Sequence, residues 1–269
     1  MAQSSMNSAP AVTGSTWWKL VFVGVAAGVL GGGLGLGGGI IMVPLLMYVG
    51  FDRHAAHATS LAAIVLIALS GSLSFGLSGE LDLAVGLTIG VGGVVGSVIG
   101  ATFMNRMSAR SLTVVFAFVL IVAGARMVLG GNPEPGSIDL VFILETVIAL
   151  GIGMVAGLFA GLAGIGGGVV NVPASVFFLG LAQHEAQGTS LLAILLTAIA
   201  GTITNYRNGR VRLRDGMFVG LGGATGSLIG SQVALGTSED LLAVIFGSLV
   251  LFVGARTLYR VWRGPAQTA

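Results

Sequence analysis

Cysteine is absent from the 269 residues. Thiol nucleophiles, disulfides and cysteine metal ligands are thereby excluded. Charge is also scarce. Asp, Glu, Lys and Arg make up 8% of the chain, against roughly 25% in an ordinary soluble domain. Enzyme signatures are missing too: there is no HExxH, no Walker-type GKS or GKT, and no cluster of carboxylates within the apolar stretches. "GLGLGGG" (33 to 39) contains a G-x-G string, but neither the preceding strand nor the later acidic residue of a nucleotide site accompanies it. Neither a catalytic residue nor a metal is expected, and no cofactor.

What the chain has in excess is apolar residues, at 55%, and glycine, at 46 of 269. Apolar stretches recur at about Trp17–Gly50, Ala58–Ser78, Leu83–Asn105, Leu112–Leu129, Leu140–Leu181, Thr189–Asn205, Gly216–Leu235 and Leu241–Tyr259. Most approach the ~20 residues a spanning helix needs. The first and fifth are too long for one helix, and each contains a glycine run followed by proline. The pattern predicts an all-α, polytopic transmembrane bundle in which eight long hydrophobic segments supply about ten membrane elements. The lipid bilayer is then the chain's constant partner. Eleven of the twelve basic residues are arginines in short loops, as membrane orientation requires, so no nucleic-acid partner is expected despite the pI of about 9.5. The first sixteen residues contain no Lys or Arg and do not read as a signal peptide.

The chain is an internal duplication. "GVLGGGLGLGGGIIMVP" (28 to 44) matches "GLFAGLAGIGGGVVNVP" (157 to 173) at an offset of 129, and after a one-residue insertion "GVGGVVGSVIG" (90 to 100) matches "GLGGATGSLIG" (220 to 230). The expected organisation is a polar N-terminal tail (1–16), a first transmembrane repeat (17–129), a linker "GGNPEPGSID" (130–139), a second repeat (140–263) and a C-terminal tail (264–269). Loop charge bears on their relative orientation. If the halves are inverted, Lys19, Arg53, Arg106, Arg110, Arg207, Arg210, Arg212, Arg214, Arg256, Arg260 and Arg263 share one face and only Arg126 lies opposite. Parallel halves would divide the same residues nine against three. Positive charge prefers the cytoplasm. Inverted repeats with both termini cytoplasmic are therefore expected.

Each glycine run marks a discontinuous helix, which lipid tolerates only where protein or a polar cavity covers the freed backbone. A helix beginning at Gly37–Gly39 or at Gly166–Gly168 would turn bare N–H groups and a positive dipole end toward an anion. Gly35 and Gly164 open the two runs. The competing explanation is that these glycines only let helices pack closely. The cavity explanation expects a side chain at Gly38 or Gly167 to abolish function without unfolding the protein. Thr59 and Ser60 in "ATS", and Thr189 and Ser190 in "GTS", open the following helices as caps or as hydroxyl donors to a ligand. Asn171 is polar at membrane depth where the first half has Met42. Asn205 precedes the arginine loop. His54 and His184 are repeat-equivalent, and His57 faces Gln187. Histidines can couple protons to transport or can be plain interfacial residues.

These residues carry a resemblance. "GLGGGIIMVPLL" followed by "HAAHATSL", repeated as "GIGGGVVNVPASVFFLGLAQHEAQGTSL", resembles the TauE/SafE family of sulfite and organosulfonate transporters over roughly residues 20 to 260. The resemblance implies an inner-membrane permease for a small sulfur-containing anion such as sulfite, a sulfonate or sulfoacetate, with export the commoner direction and protons as a coupling partner. The mismatch of Met42 with Asn171 means that the two half-sites are not chemically identical.

Overall fold

The computed structural model describes residues 17–103, 109–130, 141–163 and 167–263, and the side chains of all of these except 100–103, 109–112 and 161–163. Among the described residues there are ten helices and no strand: α1 (Trp17–Gly33), α2 (Gly39–Tyr48), α3 (Arg53–Leu77), α4 (Leu83–Phe103), α5 (Ala109–Val128), α6 (Phe142–Ala163), α7 (Gly168–Leu179), α8 (Gln183–Arg207), α9 (Leu213–Leu235) and α10 (Glu239–Trp262). The two overlong apolar stretches each divide at their glycines, into α1 with α2 and α6 with α7. Among the described residues five helices are long and apolar enough to cross a membrane: 53–77, 142–160, 183–207, 213–235 and 239–262. α2 and α7 hold 10 and 12 residues. At 1.5 Å per residue they reach about 15–18 Å, too short for a hydrocarbon core of about 30 Å. The tails and the 130–139 linker lie outside the description except for Gly130.

Glycine at helix contacts sets the packing. α1 lies along α9, where a methyl at Gly28 would come within 2.8 Å of the Gly223 carbonyl carbon, and α6 lies along α4, where one at Gly157 would meet Gly93 at the same 2.8 Å. A side chain at Gly226 or Gly96 would likewise press into the backbone of Val25 or Met154. In lipid, where no hydrophobic force drives helices together, such close backbone approach is what dispersion attraction needs. For these glycines the packing explanation holds.

The contacts also fix helix directions. Gly24 meets Val219 and Gly32 meets Ser227, so α1 and α9 run the same way; Ser227 Oγ donates to the Ile67 carbonyl and Ser231 Oγ to Ser74 Oγ, so α3 runs with them. α4, α6 and α8 form the matching set, through Gly92 with Leu150 and Gly96 with Met154, and through Gly90 with Leu196 and Gly93 with Thr197. α3 and α8 cross antiparallel, since Gly71 meets Leu191 while Gly201 meets Leu61. α5 and α10 are antiparallel as well, with Gly124 against Leu251 and Gly254 against Ala117.

One end of the bundle gathers Trp17 against Phe218 and Arg212 over the Phe51 ring. At the other end the Asp82 amide donates to Thr189 Oγ1, and His184 and Gln183 reach Ala234 and Glu239.

Candidate functional site

The chain after α1 turns back through residues 34–38. Gly35, Gly37 and Gly38 have φ of +70°, +69° and +83°, a left-handed sequence that residues with a Cβ rarely adopt. The amides of Leu36 and Gly37 both donate to the Gly31 carbonyl, at 2.8 and 3.0 Å, so the turn satisfies part of its own backbone. α2 then starts at Gly39 with Gly38 as its N-cap, and α7 starts at Gly168 with Gly167 as its N-cap; no side chain caps either one. Gly38 and Gly167 carbonyls accept the first intrahelical bonds. The amides of Gly39, Ile40, Gly168 and Val169 precede any intrahelical acceptor, as at every helix start.

The two breaks meet. A methyl on Gly168 would lie 2.5 Å from the Gly35 carbonyl oxygen and 2.7 Å from the Leu36 Cα, and one on Gly37 would lie 2.9 Å from Ile194 and 3.4 Å from Ile64. Ile64 and Ile194 are each the twelfth of the twenty-five residues of α3 and α8. The meeting point is thus halfway along the two longest helices, at their crossing. Gly164 and Gly166 lie outside the described residues.

The Thr-Ser pairs are not caps. α3 begins at Arg53, six residues ahead of Thr59, with the Asp52 carboxylate accepting from the His54 and Ala55 amides at 2.9 and 3.0 Å. The Ala55 and His54 amides hold the Asp52 carboxyl below its ordinary range. α8 likewise begins at Gln183, ahead of Thr189. The apolar stretches understate both helices because their first turns are polar although helical. Thr59, Ser60, Thr189 and Ser190 are all buried inside the helices. Ser190 Oγ donates 2.9 Å to the Gly35 carbonyl, tying α8 to the break, and Ser60 Oγ donates 2.8 Å to the His57 carbonyl. Thr189 Oγ1 accepts from the Asp82 amide at 3.0 Å, while Thr59 Oγ1 is buried with no partner.

Asn171 sits in the first turn of α7, 3% exposed, with its Oδ1 unpartnered. It shares that turn with Gly167 and Gly168. Asn205 is eleven residues beyond Ile194 on α8, about 16 Å along the helix, and its Nδ2 donates to the Gly201 carbonyl at 2.9 Å; the structure does not bring it to the breaks. The histidines diverge. His54 is exposed at the start of α3, His57 is partly buried with Nδ1 unpartnered, and His184 is 8% exposed. His184 Nε2 lies 2.9 Å from the Ala234 carbonyl and Nδ1 3.6 Å from Glu239 Oε1. Among the described residues no group of three or more His, Asp or Glu is placed to hold a metal ion.

Two buried polar residues, Ser175 and Gln183, escaped the sequence reading and Gln187 entered it only as the counterpart of His57; the side-chain polar atoms of all three have no partner. Gln187 adjoins the break itself, its Cα 2.8 Å from where a Gly35 methyl would stand. The comparison that singled out Asn171 against Met42 would have found Ser175, which stands where the first half has Leu46.

Comparison with known proteins finds relatives over most of the chain. The profile of a family described as sulfite exporter TauE/SafE matches residues 20–150 and again 148–269, one match to each half. "Probable membrane transporter protein YunE" of Bacillus subtilis (strain 168) is 26% identical over 263 residues, covering 89% of this chain and 96% of the relative. A "probable membrane transporter protein" of Xylella fastidiosa (strain Temecula1 / ATCC 700964) is 28% identical over 245 residues, covering 89% and 92%. "Probable membrane transporter protein YdhB" of Bacillus subtilis (strain 168) is 27% identical, covering 87% and 98%.

Proposed function

Because this chain belongs to the sulfite exporter TauE/SafE family of membrane transporters, we propose that it is a secondary carrier for a small sulfur-containing oxyanion, sulfite or an organosulfonate, exported across the cytoplasmic membrane. The observation that supports the reading most is the meeting of the two glycine breaks at the α3–α8 crossing, where Gly35, Gly37 and Gly168 come together beside the buried carboxamides of Asn171 and Gln187. Helix starts offer amides and a positive dipole end to an anion, and midplane sites between discontinuous helices are the plan of many secondary transporters. Thr59 and Asn171 would donate neutral hydrogen bonds, holding the anion without a countercharge that would slow its release. Ser60 and Ser190 support the site by bonding backbone carbonyls.

The halves are inverted with respect to each other in this reading, with both termini cytoplasmic. The antiparallel courses of the repeat-equivalent pairs α3/α8 and α5/α10 support it, as does the gathering of basic loops at one end. Protons enter through His184, which faces Glu239 on α10 at the end that also carries Glu80, Asp82 and Glu185, or on the substrate itself.

Thermal unfolding of the detergent-solubilised protein with sulfite, sulfate, thiosulfate, sulfoacetate and taurine tests the substrate class. A ligand that binds only the folded state at a hundred times its dissociation constant adds about 2.7 kcal/mol of stability. Stabilisation by sulfite or a sulfonate, exceeding that by sulfate, is expected. Equal and negligible shifts for all five would remove the substrate assignment.

A further inference from the structure

The two halves bury different chemistry at the same places. On α2, Met42 and Leu46 are fully buried in an apolar cluster with Leu20, Val23 and Ala63. Their equivalents on α7, 129 residues later, are Asn171 and Ser175, at 3% and 0% exposure, with Asn171 Oδ1 and Ser175 Oγ lacking any hydrogen-bond partner. On α8, Gln183 and Gln187 are 4% and 0% exposed, and both atoms of both carboxamides are unpartnered. Their first-half equivalents, Arg53 and His57, are exposed and partly buried, and His57 Nδ1 is the one buried side-chain atom of the two without a partner.

Residues four apart share a helix face. Asn171 and Ser175 therefore form a polar stripe running outward from the break along α7, and Gln183 and Gln187 form one running inward along α8 to the Gly35 turn. Six side-chain atoms of these four residues are thus buried and unpaired on one helix pair. Burying such groups dry is costly, and native interiors leave few of them without protein or water partners. A set that is dense and ordered along two packed helices, against only His57 Nδ1 and Thr59 Oγ1 among the described residues of the first half, requires an occupant. A carboxamide offers donors and an acceptor together, which suits water and a hydrated or protonated oxyanion and does not suit lipid.

We propose that in the conformation of this structure hydrophilic access to the break site runs through the second half, along a lane lined by Asn171, Ser175, Gln183 and Gln187, while Met42 and Leu46 seal the equivalent path in the first half. The lane opens at the end of the bundle where α8 begins, opposite the arginine loop 207 to 214. This rests on the break site proposed above and names the route by which its exported ligand leaves.

The absence of native cysteine makes the test direct. Ser175→Cys, Gln187→Cys and, as reference, Leu46→Cys are made one at a time in the full chain, reconstituted in liposomes, and treated with a small charged methanethiosulfonate; labelling is followed by intact mass. Cysteines at 175 and 187 are expected to label at least ten times faster than the one at 46. A second variant carries the first half's residues into the second, Asn171→Met with Ser175→Leu, in the Gln187→Cys background. It is expected to remain monodisperse and to slow labelling at 187 at least tenfold. Labelling at 175 and 187 as slow as at 46, or labelling at 187 indifferent to the apolar pair, would overturn the lane. Labelling does not depend on which anion is carried, so an unlabelled lane in a protein that still binds sulfite defeats the route alone, and a labelled lane in a protein that binds none defeats the substrate assignment alone.

Discussion

Gly38 and Gly167 stand at the same position in the two halves, yet Gly38 has φ +83° and Gly167 has φ −69°. At Gly38 a methyl would also lie 2.7 Å from the Ala27 carbonyl oxygen, whereas at Gly167 it would find Ala156 Cβ at 3.3 Å and Asn171 Nδ2 at 3.4 Å. The expectation that both positions tolerate a side chain therefore fails for Gly38, whose conformation and surroundings both demand glycine. A left-handed residue with a Cβ costs roughly 1–2 kcal/mol before any clash is counted. Gly38→Ala is expected to lower the unfolding temperature in detergent and broaden the size-exclusion profile, while Gly167→Ala changes stability by less than about 1 kcal/mol. Equal behaviour of the two variants would contradict this account of the break. The same asymmetry explains why residue-level reasoning on a duplicated sequence is only half informative. The motif "GGG" is identical in both halves, but the sign of φ is set by what packs against it.

At the scale of helices, the seams α1/α9 and α6/α4 are built alike, and perturbing one should resemble perturbing the other. Gly28→Val and Gly157→Val each insert a branched side chain where a methyl already falls 2.8 Å from a facing backbone carbon. Overpacking of this kind costs about 1–3 kcal/mol. Both variants are expected to give a lower monodisperse yield, by similar amounts; a protein indifferent to either would mean the seams are not tightly packed. The division of the two overlong stretches and the correspondence of the halves at offsets of 129 and 130 were legible, because they depend on glycine, apolar length and self-similarity; the seams were not, because nothing local says which helix a glycine face will meet. The starts of α3 and α8 were not. Lipid-spanning length is judged from apolar residues, and these helices continue for six residues through "RHAAHA" and "QHEAQG", which are polar enough to read as loop. Gln187 was seen only as the counterpart of His57. Its complete burial arises from the Gly35 turn of the other half folding over it, a contact between residues 152 positions apart that no local pattern announces.

Considered whole, the molecule sorts charge by end. Among the described basic residues, Arg126 at the close of α5, its guanidinium over the Phe177 ring at 5.1 Å, is the exception that the inverted arrangement leaves on the acidic end. Placing both termini in the cytoplasm puts Asn208, between α8 and α9, on that same side. A cysteine substituted there should resist an impermeant maleimide in intact cells and react once the membrane is opened; reaction in intact cells would reverse the orientation. The central claim is that anions cross this protein at the meeting of its two breaks. Flux of radiolabelled sulfite into proteoliposomes, measured for the wild type and for Asn171→Met beside empty liposomes, tests it most directly. Met42 already occupies the equivalent site, so the variant should fold. Loss of a hydrogen bond to a charged group, about 1.5–3 kcal/mol, should weaken sulfite affinity by about one to two decades. The account predicts wild-type flux well above empty liposomes and a folded variant whose half-saturating concentration rises at least tenfold. Wild-type flux no greater than that of empty liposomes, or a variant that transports with unchanged affinity, would contradict it.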